Sequence, residues 1–273
     1  MRRFLFIYIT VLFLLITTPV FIFSDNSDFY TLELQPGAGE SKIILIGLSP
    51  NEQYFSYIEL YSPFQGFSEN YKAFARFVIV DVPKNEYAIT PIQVSTYVKN
   101  NPLDQDCFSF FEYVLLLNLM KKAKPKLEEF GIIPGVLPVK ALPFRERNGN
   151  TTELQRFHLF NGEMGNLAQL ELEIMKCQTP GTLDIRLRSR NKKRVEVILQ
   201  KDKKVPKWRS NVKNYRIAQV YFYGNHKKYI VVFIKLVFKL QNGKTEDRYM
   251  CVTGEITRVW ENAFKWSDEE MFK

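Results

Sequence analysis

The spacing of apolar side chains changes several times along the chain, and each change predicts an element. Residues 4–23 are almost continuously apolar, relieved only by Thr10, Thr17, Thr18 and Pro19. Arg2 and Arg3 precede this run, and Ser24 followed by Asp25, Asn26, Ser27 and Asp28 ends it. Positive charge, apolar run and small residue are the order read by the secretion machinery, which predicts a signal peptide over residues 1–24 cleaved after Ser24. The competing expectation is an uncleaved anchor through residues 4–23, because about 20 apolar residues also span a bilayer.

Beyond residue 41 the apolar runs become short and are separated by turn residues. Residues 42–48 (KIILIGL) and 54–60 (YFSYIEL) flank a Ser49-Pro50-Asn51-Glu52 turn and predict a hairpin. Residues 74–82 (FARFVIVDV) predict a third strand, stopped by Pro83-Lys84-Asn85-Glu86. Residues 106–123 then become apolar on nearly every side, with Lys121 and Lys122 at the end where cations suit the helix dipole. Glu112 and Asn118 interrupt the run and make it too short for a membrane span, so it predicts one buried apolar helix. Pro125 is expected to open a second short helix ended by Gly131.

Residues 132–152 are rich in Pro and Gly and predict a linker or long surface loop, with a boundary near residue 150. The expected organisation is an N-terminal β-plus-helix region over 25–150 and a C-terminal antiparallel β region over 151–273, or one continuous domain over 25–273. In the second region residues 167–177 and 182–188 alternate strictly, which puts Leu183, Ile185 and Leu187 on one face and Asp184, Arg186 and Arg188 on the other. Residues 215–223 and 228–240 pair across Gly224-Asn225, and Asn242-Gly243 signals the next hairpin, leading into residues 248–256. A terminal helix is expected from about Ser267. The fold class is therefore α+β and predominantly antiparallel β, a sandwich or a partial propeller-like array, with one buried apolar helix near residues 106–123.

Composition sharpens this picture. Hydrophobic residues make up 46% of the chain and aromatic residues 15%, which excludes disorder, and Phe and Tyr far outnumber Trp, as in β cores. Cys107, Cys177 and Cys251 are too few for a disulfide framework; one pair could close in an oxidising compartment, or all three are small core residues. The net charge of +9 is concentrated. Between Arg186 and Lys213 twelve basic residues face only Glu196 and Asp202 within the segment.

No catalytic, metal or cofactor motif is present in the pattern of residues. His158 and His226 stand alone, Ser49 lies in no nucleophile elbow, and Glu171 and Glu173 share a strand face as ordinary solvated acids do. Asn150-Thr151-Thr152 matches a glycan acceptor by its short pattern alone. The basic stretch is the feature with mechanistic content. Arg186, Arg188, Lys192, Lys193, Arg194, Lys203, Lys204, Lys207, Trp208 and Arg209 are the expected contact surface for an anionic partner. Export directs that expectation to anionic lipid, a cell-wall polymer or an acidic protein, and away from nucleic acid. Membrane contact is expected only through an uncleaved N-terminus, and no cofactor is expected.

Four stretches carry a family resemblance: Ser49 to Phe55 (SPNEQYF), residues 77–85 (FVIVDVPKN), residues 199–221 (LQKDKKVPKWRSNVKNYRIAQVY) and residues 250–254 (MCVTG). Together they resemble a family of bacterial predicted secreted proteins carrying a domain of unknown function, over residues 43–256. The first two also resemble TolB-like propeller blades more weakly. The resemblance implies export and brings no activity or site residues. The expected function is a non-catalytic binding or scaffolding module of the cell envelope, periplasmic or secreted. The alternative is an extracytoplasmic hydrolase with an atypical carboxylate or serine site.

Overall fold

The computed structural model describes residues 41–61, 70–99, 105–148, 152–161, 166–176, 182–190, 195–224, 228–240, 243 and 245–265. The predicted signal segment, the terminal helix from Ser267, Cys177 and His226 lie outside them. Among the described residues the chain is mostly antiparallel strand, in three sheets with two α-helices.

The first sheet holds β1 (Ser41–Leu48), β2 (Tyr54–Tyr61), β3 (Asn70–Asp81), β4 (Glu86–Tyr87), β5 (Ile92–Lys99) and β6 (Ile133–Pro134). The second is central and runs β15 (Thr245–Glu255), β14 (Tyr229–Lys239), β13 (Val212–Tyr223), β7 (Val139–Ala141). The third runs β12 (Glu196–Lys201), β11 (Leu183–Ser189), β10 (Asn166–Lys176), β9 (Thr152–Asn161), β8 (Pro143–Asn148). The predicted hairpins form as expected, with Leu48 opposite Phe55 and Tyr223 opposite Tyr229.

Side-chain alternation stacks these sheets as a sandwich of layers. In β14 the run Tyr229–Leu236 is apolar at nearly every position because both faces are covered. Its even residues, Ile230, Val232, Ile234 and Leu236, meet Leu170, Leu172, Leu183 and Ile185 of the third sheet. Its odd residues, Tyr229, Val231 and Phe233, meet Phe55, Tyr57, Val78 and Val80 of the first. The other face of the first sheet, with Ile58, Ala75, Phe77 and Ile79, is covered by helix α1 (Gln105–Glu129). Helix α2 (Thr257–Lys265) closes the far side with Val259 and Ala263.

Two expectations change. Helix α1 runs through Pro125 instead of restarting there. Leu115, Leu119, Ala123 and Leu127 recur every four residues and are buried against the first sheet, while Pro125 and Lys121 face solvent. The missing Pro125 N–H therefore leaves its carbonyl partner in water, and the buried stripe holds the helix together. The helix is buried along that stripe, and Tyr113 and Leu117 on the outer side are 54% and 52% exposed. Its end is a Schellman motif: Gly131 at φ 61° lets Ile132 N–H reach Leu127 O at 2.8 Å and Gly131 N–H reach Glu128 O at 3.1 Å.

The Pro/Gly-rich stretch after α1 is a strap of three short strands. β6 pairs with β1, β7 with β13 and β8 with β9, so one segment edges all three sheets. Gly47 permits the first contact, since a Cβ there would sit 2.2 Å from Ile133 O. Proline and glycine mark edge pairing here, where few ladder bonds are needed. Helix α2, not among the expected elements, begins at Thr257, where Val259 and Ala263 have the four-residue spacing that covers the core.

Candidate functional site

The four stretches that carry the resemblance are far apart in sequence and converge at one end of the sheets. The turn after β1 is built locally: Ser49 Oγ accepts Tyr54 N–H at 2.8 Å, and Asn51 Oδ1 accepts Gln53 N–H at 3.1 Å. Gln53 then reaches the β3 end, its O accepting Val82 N–H at 2.9 Å and its Nε2 donating to Asp81 Oδ2 at 3.3 Å.

Asn85 ties the three sheets together. It holds φ 55°, a left-handed conformation that asparagine tolerates. Its Oδ1 accepts Thr253 N–H of β15 at 2.7 Å. Its Nδ2 donates to Leu199 O and Gln200 Oε1 of β12, both at 3.1 Å. Thr253 Oγ1 in turn donates to Val82 O at 3.0 Å.

Beside this knot lies a cleft of about 190 Å³. Asn85, Glu86, Tyr87, Gln200 and Trp208 form its walls, over a floor of Val80, Met250 and Cys251. Tyr87 and Trp208 are 45% and 57% exposed. Burial pushes the Cys251 thiol well above its usual range, so it is a poor nucleophile at neutral pH.

The basic stretch divides into two chemically different parts. Arg186 is bonded to Asp184 at 2.6 Å and to Glu196 at 3.2 Å. The hydrogen bond from Arg186 holds the Asp184 carboxyl below the usual carboxylate range. Arg188 pairs with Glu173 and Glu196, and Arg190 approaches Glu171 at 3.9 Å. Arg209, expected on the contact surface, is 2% exposed and bonds Asp202 at 2.6 Å. Its guanidinium lies over the Trp208 and Tyr215 rings at 5.3 and 5.9 Å, which compensates nitrogens that have no hydrogen-bond partner. Arg209 is therefore withdrawn from the contact surface: the turn from Lys207 to Arg209 points it inward under Trp208.

Lys203, Lys204 and Lys207 are exposed, and among the described residues no carboxylate pairs with them. Lys192, Lys193 and Arg194 lie outside the described residues. The acids on β10, expected as ordinary solvated acids, are partners instead: Glu171 and Glu173 alternate as Arg186 and Arg188 do, and register sets Glu173 opposite Arg186. Of the other expected candidates, His158 is exposed and edge-on to Phe144 at 3.8 Å. Glu171 is paired with Arg156 at 2.9 Å. No cluster of metal-ligating side chains occurs among the described residues.

These features define a layered, β-rich protein whose surface cleft is assembled from distant segments. Residues 68–255 match the family described as "Predicted secreted protein (DUF2259)", and the chain belongs to that family. The matched span includes Asn85, the basic stretch and β15; the Ser49 turn lies outside it and touches it through Asp81 and Val82. No curated protein and no solved structure matches the chain. Membership supports export, and among the described residues no helix is long and apolar enough to cross a membrane.

Proposed function

We propose that this exported protein is a non-catalytic binding module of the cell envelope that holds an anionic cell-wall polymer along the connection from β12 to β13. The observation that carries this reading is the division of the basic stretch. Its described arginines have carboxylate partners, whereas Lys203, Lys204 and Lys207 are exposed and have no carboxylate partner among the described residues, beside an exposed Trp208. Such lysines keep their full attraction for an anion, and the neighbouring indole adds contact area at little entropic cost.

The test is sedimentation of the mature chain with cell-wall sacculi at low and moderate salt. The parent should bind and should lose affinity with salt, because screening shortens to about 8 Å at physiological ionic strength. Replacing Lys203, Lys204 and Lys207 together with Gln should remove the salt-sensitive component and leave folding within about 0.5 kcal/mol of the parent. Equal binding of parent and variant at both salts would overturn the reading. Preference for anionic liposomes over sacculi would move the partner to lipid.

A further inference from the structure

Strand β15 is an edge strand of the central sheet, yet most of its outer side is covered by side chains. Asp247 O accepts Ser41 Oγ at 2.7 Å, Tyr249 N–H donates to Glu59 Oε1 at 3.1 Å, and Thr253 N–H donates to Asn85 Oδ1 at 2.7 Å. These are all odd positions, whereas Ile256 N–H turns the other way and bonds Lys228 O. The two-residue period of an antiparallel strand therefore turns the N–H and C=O of Cys251 outward as well. Among the described residues no side chain caps Cys251, and this is where the cleft lies.

We propose that the cleft takes an N-acetylated sugar ring. The inference rests on the reading of a cell-wall polymer as partner and names the unit of it that docks. The Cys251 N–H is an outward-turned edge donor suited to an amide carbonyl, and the buried Val80 and Met250 offer an apolar floor for the attached methyl. Trp208 and Tyr87 present exposed rings at the rim, on which the C–H face of a pyranose packs. Glu86 is exposed at the same rim and accepts hydroxyl protons. Gln200 and Asn85 contribute shape more than bonding, because they hydrogen-bond each other and their neighbours. Mixed apolar walls with a few fixed polar groups are what a small-ligand cleft needs. Lys203, Lys204 and Lys207 lie in the same connection and supply attraction for an anionic chain continuing past the ring.

The experiment uses the mature chain with free N-acetylglucosamine and, as the control lacking the amide, methyl glucoside, followed by saturation-transfer NMR and tryptophan fluorescence. N-acetylglucosamine should bind at least about tenfold more tightly than the control. Trp208→Ala and Glu86→Gln, both at exposed positions, should each weaken it, Trp208→Ala by about tenfold or more. Equal affinity for the two sugars, or binding unchanged by both variants, overturns the proposal. No binding of either sugar while sacculi still sediment the protein overturns it and spares the polymer reading. Sugar binding without sacculus binding supports the cleft and overturns the polymer reading.

Discussion

The two faces of the central sheet solve the same packing problem with different chemistry. Toward the third sheet the contact of β14 is aliphatic, with Ile230, Val232, Ile234 and Leu236 against Leu170, Leu172, Leu183 and Ile185, while polar and aromatic contacts are left to β13, where Glu153 accepts Ile217 N–H at 2.7 Å and Phe157 meets Phe222 edge-on at 6.1 Å. Toward the first sheet it is aromatic and polar. Tyr57 meets Phe233 edge-on at 5.0 Å, and Tyr223 stacks on Tyr229 at 5.3 Å. Fully buried Glu59 binds Arg76 at 2.6 Å and Arg248 at 3.1 Å, and it accepts Tyr249 N–H at 3.1 Å. An aliphatic contact is non-directional and tolerates small slides, whereas the Glu59 bonds are directional and pin the first sheet against β15. The cleft opens beside the directional contact, where Asn85 and Glu59 fix which backbone groups stay uncovered.

The largest expected break in this comparison is alkaline. Burial raises the pKa of Tyr57, Tyr61 and Tyr223, and pushes Tyr221 up to about 12 from 10.0. Below pH 10 these groups are neutral in both states. From about pH 10 to about 12 the unfolded tyrosines ionise while the folded ones keep their protons, so stability falls as pH rises through that window. Thermal unfolding followed from pH 8 to about pH 12 should show a falling midpoint, made shallower by Tyr221→Phe with Tyr223→Phe. A flat profile would mean that the aromatic face is wet.

Next in size is Glu59→Ala. It leaves Arg76 and Arg248 facing a site with no carboxylate, and breaking such a buried cluster costs about 3–5 kcal/mol. Urea denaturation measures this directly, and a loss under about 1 kcal/mol would show that water replaces the carboxylate. Smallest is Ile234→Val on the aliphatic face, which removes one methylene, orphans nothing and should cost about 0.5–1.5 kcal/mol. If it matched Glu59→Ala, the two faces would not differ as described.

The strands and hairpins were legible from local alternation and turn residues, and the helix from an apolar run too long for a strand. Leu183, Ile185 and Leu187 are buried as their alternation requires, and residues 106–123 fall inside one helix. The three-sheet order was not legible. Nothing in residues 132–152 announces that β6, β7 and β8 will edge three different sheets, since Pro and Gly mark loops and edge strands alike. The concentration of positive charge between Arg186 and Lys213 was plain in the sequence, but its meaning was not. Glu173 and Glu196 neutralise the arginines from strands that register sets beside them, Asp184 does so from the same strand, and Arg209 turns inward onto Asp202. The cleft was hidden for the same reason, because Asn85, Gln200, Trp208 and Cys251 meet only when the sheets stack. Periodicity along a chain fixes which side chains share a face, but only packing decides which faces and charges meet across it.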